Sequence, residues 1–98
     1  MTIQKDIERN ETSHLHKFAD FAGKRILEIG CGEGRLTWQY AEETHSTVGI
    51  DLDADALRVA IINRPADLQN KVYFSRTLSE QLPFSKERFE IALLAWSF

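Results

Sequence analysis

The sequence predicts an α/β fold in which a parallel sheet is covered by helices. Strand-like apolar blocks alternate with helix-like blocks along the chain, and this order builds a parallel sheet. A cluster of three glycines, Gly30, Gly32 and Gly34, follows the first apolar block, and Asp51 stands near the end of the second. With 98 residues, the chain is long enough for one small domain and too short for two.

Local patterns of apolar residues define the elements. Helices are predicted where apolar residues recur three and four positions apart, and strands where short apolar runs lie between turn residues. The predicted helices cover Asp6–Ala22, Arg35–Glu43 and Ala54–Asn63, with Asp53 capping the third and Pro65 ending it. The predicted strands cover Lys24–Gly30, Ser46–Leu52, Lys71–Ser75 and Phe89–Ala95, and Thr77–Arg88 is predicted to be a loop.

Composition excludes several classes of protein. The formal net charge is −3 and no run of Lys and Arg stands out, which disfavours a nucleic-acid binder. The chain has one cysteine, Cys31, and its histidines form no ligand pattern, so neither a disulfide nor a metal site is predicted. The longest apolar run, Ile91–Trp96, is too short to span a bilayer, and residues 1–10 do not resemble a signal peptide. We therefore expect a cytoplasmic protein with no membrane partner.

The segment Glu28–Gly34 carries the chemistry. It leaves a strand and enters a helix, where glycines allow the backbone to approach a ligand and the N–H groups at the helix start are expected to face that ligand. Asp51, about twenty residues further on, can accept both hydroxyls of a ribose. The glycine loop and the aspartate together predict a nucleoside site.

The loop pattern distinguishes between nucleosides. A dinucleotide fingerprint requires a glycine at the sixth position of the loop, where this chain has Arg35. The acidic Glu28 before the loop suits a positively charged ligand with an amino-acid tail and suits a pyrophosphate poorly.

Three parts of the sequence resemble class I S-adenosylmethionine-dependent methyltransferases. Arg25–Gly34 resembles the first motif of that family, and Val48–Leu52 resembles its second. Leu82–Phe84, followed by Phe89–Ile91, resembles the segment before strand four in the small-molecule branch of the family. The Asp/Asn-Pro-Pro-aromatic motif of many nucleic-acid amino-methyltransferases is absent from Ala95–Phe98, which also favours a small-molecule substrate.

The resemblance implies S-adenosylmethionine as the cofactor and assigns residues to it. Glu28 and the backbone of the loop, with Gly30, Cys31, Gly32 and Gly34, would hold the methionine part. Asp51 would bind the ribose, and Leu52 would lie against the adenine. Many members have an aspartate near the adenine where this chain has Leu78, with Ser79 and Glu80 beside it. That departure leaves backbone contacts, or Glu80, to bind the adenine amino group.

The resemblance also implies that the chain is incomplete. The expected fold is a Rossmann-like three-layer sandwich with a seven-stranded sheet, of which residues 1–98 supply four strands in the order 3-2-1-4. Strand four would then be an open edge, and one sheet face would be bare at Ile26–Ile29 and Ile91–Trp96. We therefore expect a truncated cofactor-binding part that is inactive alone, or an oligomer joined through strand four. No catalytic residue is assigned.

Three functions remain open at this stage. The first is methyl transfer to a small-molecule acceptor, with this chain supplying the cofactor-binding half. The second is a non-catalytic domain of the same fold that binds a nucleoside or a partner chain, which the change at Leu78 favours. The third is a nicotinamide-dependent oxidoreductase, which Arg35 in place of the last fingerprint glycine disfavours.

Overall fold

A parallel sheet forms the centre of the computed structural model, which describes residues 2–5, 20–82 and 88–95. Five strands pair in the order β1-β5-β2-β3-β4, and every pairing is parallel. The strands are β1 (Thr2–Lys5), β2 (Arg25–Ile29), β3 (Ser46–Asp51), β4 (Val72–Arg76) and β5 (Ile91–Leu94). The last four appear in the order β4-β3-β2-β5, which confirms the predicted order 3-2-1-4.

Two α-helices connect the central strands. They are α1 (Thr37–Tyr40) and α2 (Ala54–Asn63), and three 3-10 turns cover Ala41–Glu43, Ala66–Leu68 and Ser79–Gln81. Helix α2 has the predicted bounds, and the Asp53 side chain accepts hydrogen bonds from the amides of Asp55 and Ala56 at its start. Arg64 is extended (φ −61°, ψ 122°), because the proline that follows it disfavours helical backbone.

The second predicted helix is shorter than expected. The sequence predicts a helix over residues 35–43, but α1 has four residues and continues as a 3-10 turn. The loop predicted over residues 77–88 contains a 3-10 turn, and its residues 83–87 lie outside the described part. The first predicted helix lies outside the described residues except for its last three, 20–22, which are not helical.

Strand β1 corrects the prediction that strand four forms an open edge. Residues Thr2–Lys5 pair with Ile91–Leu94 along their whole length, so β5 has a partner on both sides. The sequence gives no local signal for this strand, because residues 1–10 are largely polar and the pairing joins opposite ends of the chain. The predicted oligomer contact through an exposed strand four therefore loses its structural basis.

The prediction of a bare sheet face is also wrong for the described residues. Leu27 and Ala92 are fully buried, and they pack with Phe89 in one apolar cluster against which the half-buried Leu82 lies. Segments beside the sheet thus cover the face opposite α1. On the α1 side a second cluster brings together Ile26, Ile91 and Leu93 of the strands with Phe21, Leu36 and Tyr40.

Candidate functional site

The glycine loop leaves β2 at its carboxyl end and bends back toward β3. Gly30, Gly32 and Gly34 have φ values of 78°, 54° and 87°, a region that side chains with a Cβ rarely adopt. The amides of Gly30 and Cys31 both donate to the carbonyl of Ile50, at 2.8 and 3.1 Å. These bonds fix the start of the loop against the neighbouring strand.

Asp51, the last residue of β3, is held by two backbone amides. Its Oδ2 accepts from the Gly32 amide at 2.8 Å, and its Oδ1 accepts from the Asp53 amide at 2.9 Å. A carboxylate oxygen has a second lone pair, so each oxygen can still accept from a ligand hydroxyl. The two amides therefore orient the carboxylate without exhausting its capacity to accept hydrogen bonds.

Four N–H groups of the glycine loop are hydrogen-bonded within the protein. Those of Gly30 and Cys31 bind the Ile50 carbonyl, that of Gly32 binds Asp51, and that of Gly34 donates to the Cys31 carbonyl at 3.0 Å. The loop wraps on itself and on β3 before α1 begins, which consumes these donors.

A cavity of about 440 Å³ opens at the carboxyl ends of the strands. That volume lies within the range of small-molecule sites, and the place is where ligands bind in sheets of this kind, since the chain turns to opposite sides of β2 there. The lining is mostly apolar, with Asp51, Thr77 and Glu80 as its polar side chains. The lining residues are Ile29, Gly30, Ile50, Asp51, Leu52, Thr77, Leu78, Glu80 and Leu94.

The predicted site residues separate into three groups. Gly30, Asp51, Leu52 and Leu78 line the cavity. Cys31, Gly32 and Gly34 belong to the loop beside it but do not line it, and Ser79 begins the 3-10 turn that follows Leu78. Glu28 lies outside the cavity wall, against Thr37 and Tyr40 of α1.

Sequence reasoning missed four lining residues, namely Ile29, Ile50, Thr77 and Leu94. Each stands at or next to the carboxyl end of a strand. In a parallel sheet these ends meet at one edge, so the strand boundaries themselves carry the signal that would have identified them.

Glu28 is completely buried on the α1 side of the sheet. Its Oε1 accepts hydrogen bonds from the Thr37 hydroxyl at 2.9 Å and from the Tyr40 hydroxyl. The resemblance assigns Glu28 to the methionine part of a cofactor, but it is absent from the lining of the cavity. Successive residues of a strand point to opposite faces, and it is the next residue, Ile29, that lines the cavity.

The electrostatic character of the loop is negative. The pKa of the Cys31 thiol is raised well above its usual range, first by burial and then by the negative charges of Glu28 and Asp51. The same charges that disfavour a thiolate attract a cation. The carboxyl groups of Glu28 and Asp51 thus make the surroundings of Cys31 negative.

Close packing holds Cys31 in place. A Cβ on Gly49 of β3 would lie 2.9 Å from the Cys31 sulfur and 3.0 Å from the Phe74 ring, so only glycine fits there. Arg76 of β4 fixes the opposite side of the site by donating from Nε to the Leu52 carbonyl at 2.9 Å.

Among the described residues, no group of three or more His, Cys, Asp or Glu side chains is arranged to hold a metal ion. Nor does that part of the chain contain a helix with the length and apolar character needed to cross a membrane.

Comparison with known proteins decides the family. The sequence profile of the "Methyltransferase domain" family matches residues 26–98, which include all of β2 except its first residue, β3 to β5 and every residue that lines the cavity. The chain belongs to this methyltransferase family. A curated relative, the ubiquinone biosynthesis O-methyltransferase of Nitrosospira multiformis, is 36% identical over 69 residues, covering 70% of this chain and 28% of that protein.

Solved structures agree with the methyltransferase fold. A protein of Bacillus halodurans provisionally named a methyltransferase superposes with a TM-score of 0.72 at 26% identity, covering 86% of this chain and 37% of that one. An S-adenosylmethionine-dependent methyltransferase of Mesorhizobium loti, at 22% identity, superposes with a TM-score of 0.70 over 89% and 39%. The chain thus spans well under half the length of each of these three proteins.

Proposed function

We propose that this chain is the cofactor-binding half of a methyltransferase that transfers a methyl group from S-adenosylmethionine to a small-molecule acceptor. The observation that carries the proposal is the Asp51 carboxylate, fixed by the amides of Gly32 and Asp53 at the wall of the cavity. Its oriented oxygens suit the two adjacent hydroxyls of a ribose.

The remaining parts of the site fit the other parts of this cofactor. Leu52 and Leu78 are 53% and 40% exposed although they are large apolar side chains, and both line the cavity. A flat apolar ring placed there would cover them, which favours the adenine. The Asp51 carboxylate at the cavity wall favours a ligand with positive charge, as the ammonium and sulfonium groups of S-adenosylmethionine have.

The chemistry of transfer needs little from these residues. Bound S-adenosylmethionine supplies a methyl group attached to a positively charged sulfur. The acceptor atom bonds to the methyl carbon while the carbon–sulfur bond breaks, and S-adenosylhomocysteine is the leaving group. Asp51 orients the ribose, the loop carbonyls near Gly30 can accept from the ammonium group, and the apolar wall of Ile29, Ile50 and Leu94 excludes water. We propose no catalytic residue within this chain, and we propose that the acceptor is bound by a part that the longer relatives possess.

We take the class of acceptor to test from the names of the relatives. The Nitrosospira multiformis protein is named an O-methyltransferase of ubiquinone biosynthesis, so a hydroxyl oxygen of a small molecule is the first acceptor to test. A longer form of the chain should produce S-adenosylhomocysteine when given such an acceptor. Absence of turnover with a bound cofactor would favour the second function.

That second function, a non-catalytic nucleoside-binding domain, has one observation in its favour. Leu78 lines the cavity where many family members have an aspartate toward the adenine, so the adenine amino group would depend on Glu80 or on backbone. The two functions share the cofactor site and differ in turnover.

The direct test is selectivity among nucleosides. Titration of the 98-residue chain with S-adenosylhomocysteine should give saturable binding to one site, whereas NAD should not bind, because its pyrophosphate meets the negative loop. Binding of NAD and not of S-adenosylhomocysteine would overturn the proposal in favour of an oxidoreductase.

A further inference from the structure

Glu28 is a carboxyl side chain buried in a layer that is largely apolar. It stands one residue before the end of β2, is 0% exposed, and faces the layer that contains Ile26 and Leu36. Burial of a carboxylate is costly unless hydrogen bonds compensate, and here two hydroxyl groups donate to the same oxygen, Oε1.

The two donors stand at opposite ends of α1. Thr37 is the first residue of that helix and Tyr40 is the last, and both are buried. Tyr40 is further fixed by stacking on Phe21, with ring centroids 4.7 Å apart. One carboxylate oxygen therefore holds the whole of this short helix against β2.

The segment between Glu28 and Thr37 is the glycine loop. Its start is fixed by β2 and its end by α1, so the bonds from Glu28 join both ends of the loop. Within it, the amide of Gly32 must reach Oδ2 of Asp51, which it does at 2.8 Å. A shift of α1 would move the loop and with it the support of the Asp51 carboxylate.

We infer that Glu28 is a positioning residue of the cofactor site, which sets the glycine loop and Asp51 through Thr37 and Tyr40, and that it does not bind the ammonium group of the cofactor. This inference rests on the proposed function. It differs from the role that the family resemblance implies for Glu28, because the side chain is buried under α1 and is absent from the cavity wall.

The test uses two probes that differ only in the amino-acid tail. S-adenosylhomocysteine carries the ammonium group, whereas 5′-methylthioadenosine lacks the whole amino-acid portion. A Glu28→Gln variant keeps an oxygen that accepts from both hydroxyls but loses the negative charge. A Glu28→Leu variant loses the acceptor entirely, and Thr37→Val is a milder change that removes one donor and keeps the shape.

For a positioning residue, the two probes respond alike. Glu28→Gln should bind both within about threefold of wild type, while Glu28→Leu should weaken both by about tenfold, the usual effect of losing a buried charge-assisted hydrogen bond. Thr37→Val should weaken both by a smaller, equal factor. If Glu28→Gln weakened S-adenosylhomocysteine about tenfold and left 5′-methylthioadenosine unchanged, Glu28 would be a ligand and the inference would fail.

Amide hydrogen exchange tests the positioning without any ligand. The Gly32 amide should exchange at the wild-type rate in Glu28→Gln and faster in Thr37→Val, relative to amides of α2 such as that of Ala60. An unchanged Gly32 rate in Thr37→Val and Glu28→Leu would also overturn the inference. Should wild type bind neither probe, the proposed function fails, and the exchange rates still decide the role of Glu28.

Discussion

The amide of Gly32 donates to Oδ2 of Asp51 across 2.8 Å and so joins the glycine loop to the end of β3. The two residues are nineteen positions apart in sequence. Because the second oxygen accepts from the Asp53 amide at 2.9 Å, the carboxylate is oriented before any ligand arrives. Such preorganisation reduces the entropy that binding costs.

Asp53 stabilises α2 and should not affect ligand affinity. Its Oδ1 accepts from the amides of Asp55 and Ala56 at 3.1 Å, so Asp53→Ala should lower the free energy of unfolding by about 1 kcal/mol. Asp55→Ala removes the same charge two residues later and breaks only an exposed ion pair with Arg58, so it should cost less than about 0.5 kcal/mol. Urea unfolding of both variants measures the difference, and equal losses would contradict the capping role.

Gly34 should tolerate alanine less well than Gly23. Both have positive φ, 87° and 70°, so alanine costs about 1–2 kcal/mol at either position. A Cβ on Gly34 would also lie 2.8 Å from the Trp38 ring, which packs edge-on against Phe74, whereas one on Gly23 meets no atom within 4 Å.

Gly34→Ala should therefore lower the free energy of unfolding by at least about 1 kcal/mol more than Gly23→Ala, through overpacking. Thermal unfolding of the pair provides the measurement. Equal melting temperatures would show that the Trp38 ring moves aside freely.

Because Cys31 is buried, the free energy of unfolding should decrease at alkaline pH. Burial and two nearby carboxylates raise the pKa of its thiol, while the unfolded chain has an ordinary thiol pKa of about 8.5. Below that value both states keep the proton and the stabilisation is complete. At higher pH the unfolded chain loses a proton that the folded chain retains, so stability falls by about 1.4 kcal/mol per pH unit.

The matched control is Cys31→Ser, which keeps the approximate shape and has no thiol to titrate. Urea unfolding at pH 8 and pH 10 should show a larger loss for wild type than for Cys31→Ser. An equal decrease in the free energy of unfolding of both proteins between pH 8 and pH 10 would show that the Cys31 pKa is not raised in the folded state.

Strand β1 should keep the chain from self-association. It pairs with β5 over four residues and covers an edge whose residues Ile91–Leu94 are all apolar. A chain that lacks residues 1–5 should expose this edge and associate with a concentration dependence visible by sedimentation. A monomeric truncated chain, at concentrations where the full chain is also monomeric, would contradict this role of β1.

Sequence patterns predicted the parts of this fold that local contacts determine. Helix α2 has its predicted bounds because a cap at Asp53 and a proline at residue 65 mark its ends. The strand order of β2 to β5 followed from the family resemblance. Strand β1 was missed because the strand it pairs with, β5, lies almost ninety residues away, and a polar four-residue strand has no pattern of its own.

The sequence predicted which residues lie at the site better than it predicted the contacts that those residues make. Asp51 and Leu52, which the resemblance assigns to the cofactor, both line the cavity, because Asp51 ends β3 and Leu52 follows it at the sheet edge where ligands bind. For Glu28, spacing could not decide which face of β2 its side chain occupies, because both faces of that strand are buried. The amides of Gly30 and Cys31 both bind the Ile50 carbonyl, which only the path of the loop toward β3 shows.

Calorimetric titration with S-adenosylhomocysteine of wild type, Asp51→Ala and Asp53→Ala tests the proposed cofactor site most directly. We predict saturable binding to wild type, a loss of at least about tenfold in Asp51→Ala, and less than about twofold change in Asp53→Ala, because both variants lose one carboxylate but only Asp51 lines the cavity. A folded wild-type chain that does not bind, or an Asp51→Ala variant that binds as tightly as wild type, would contradict the account.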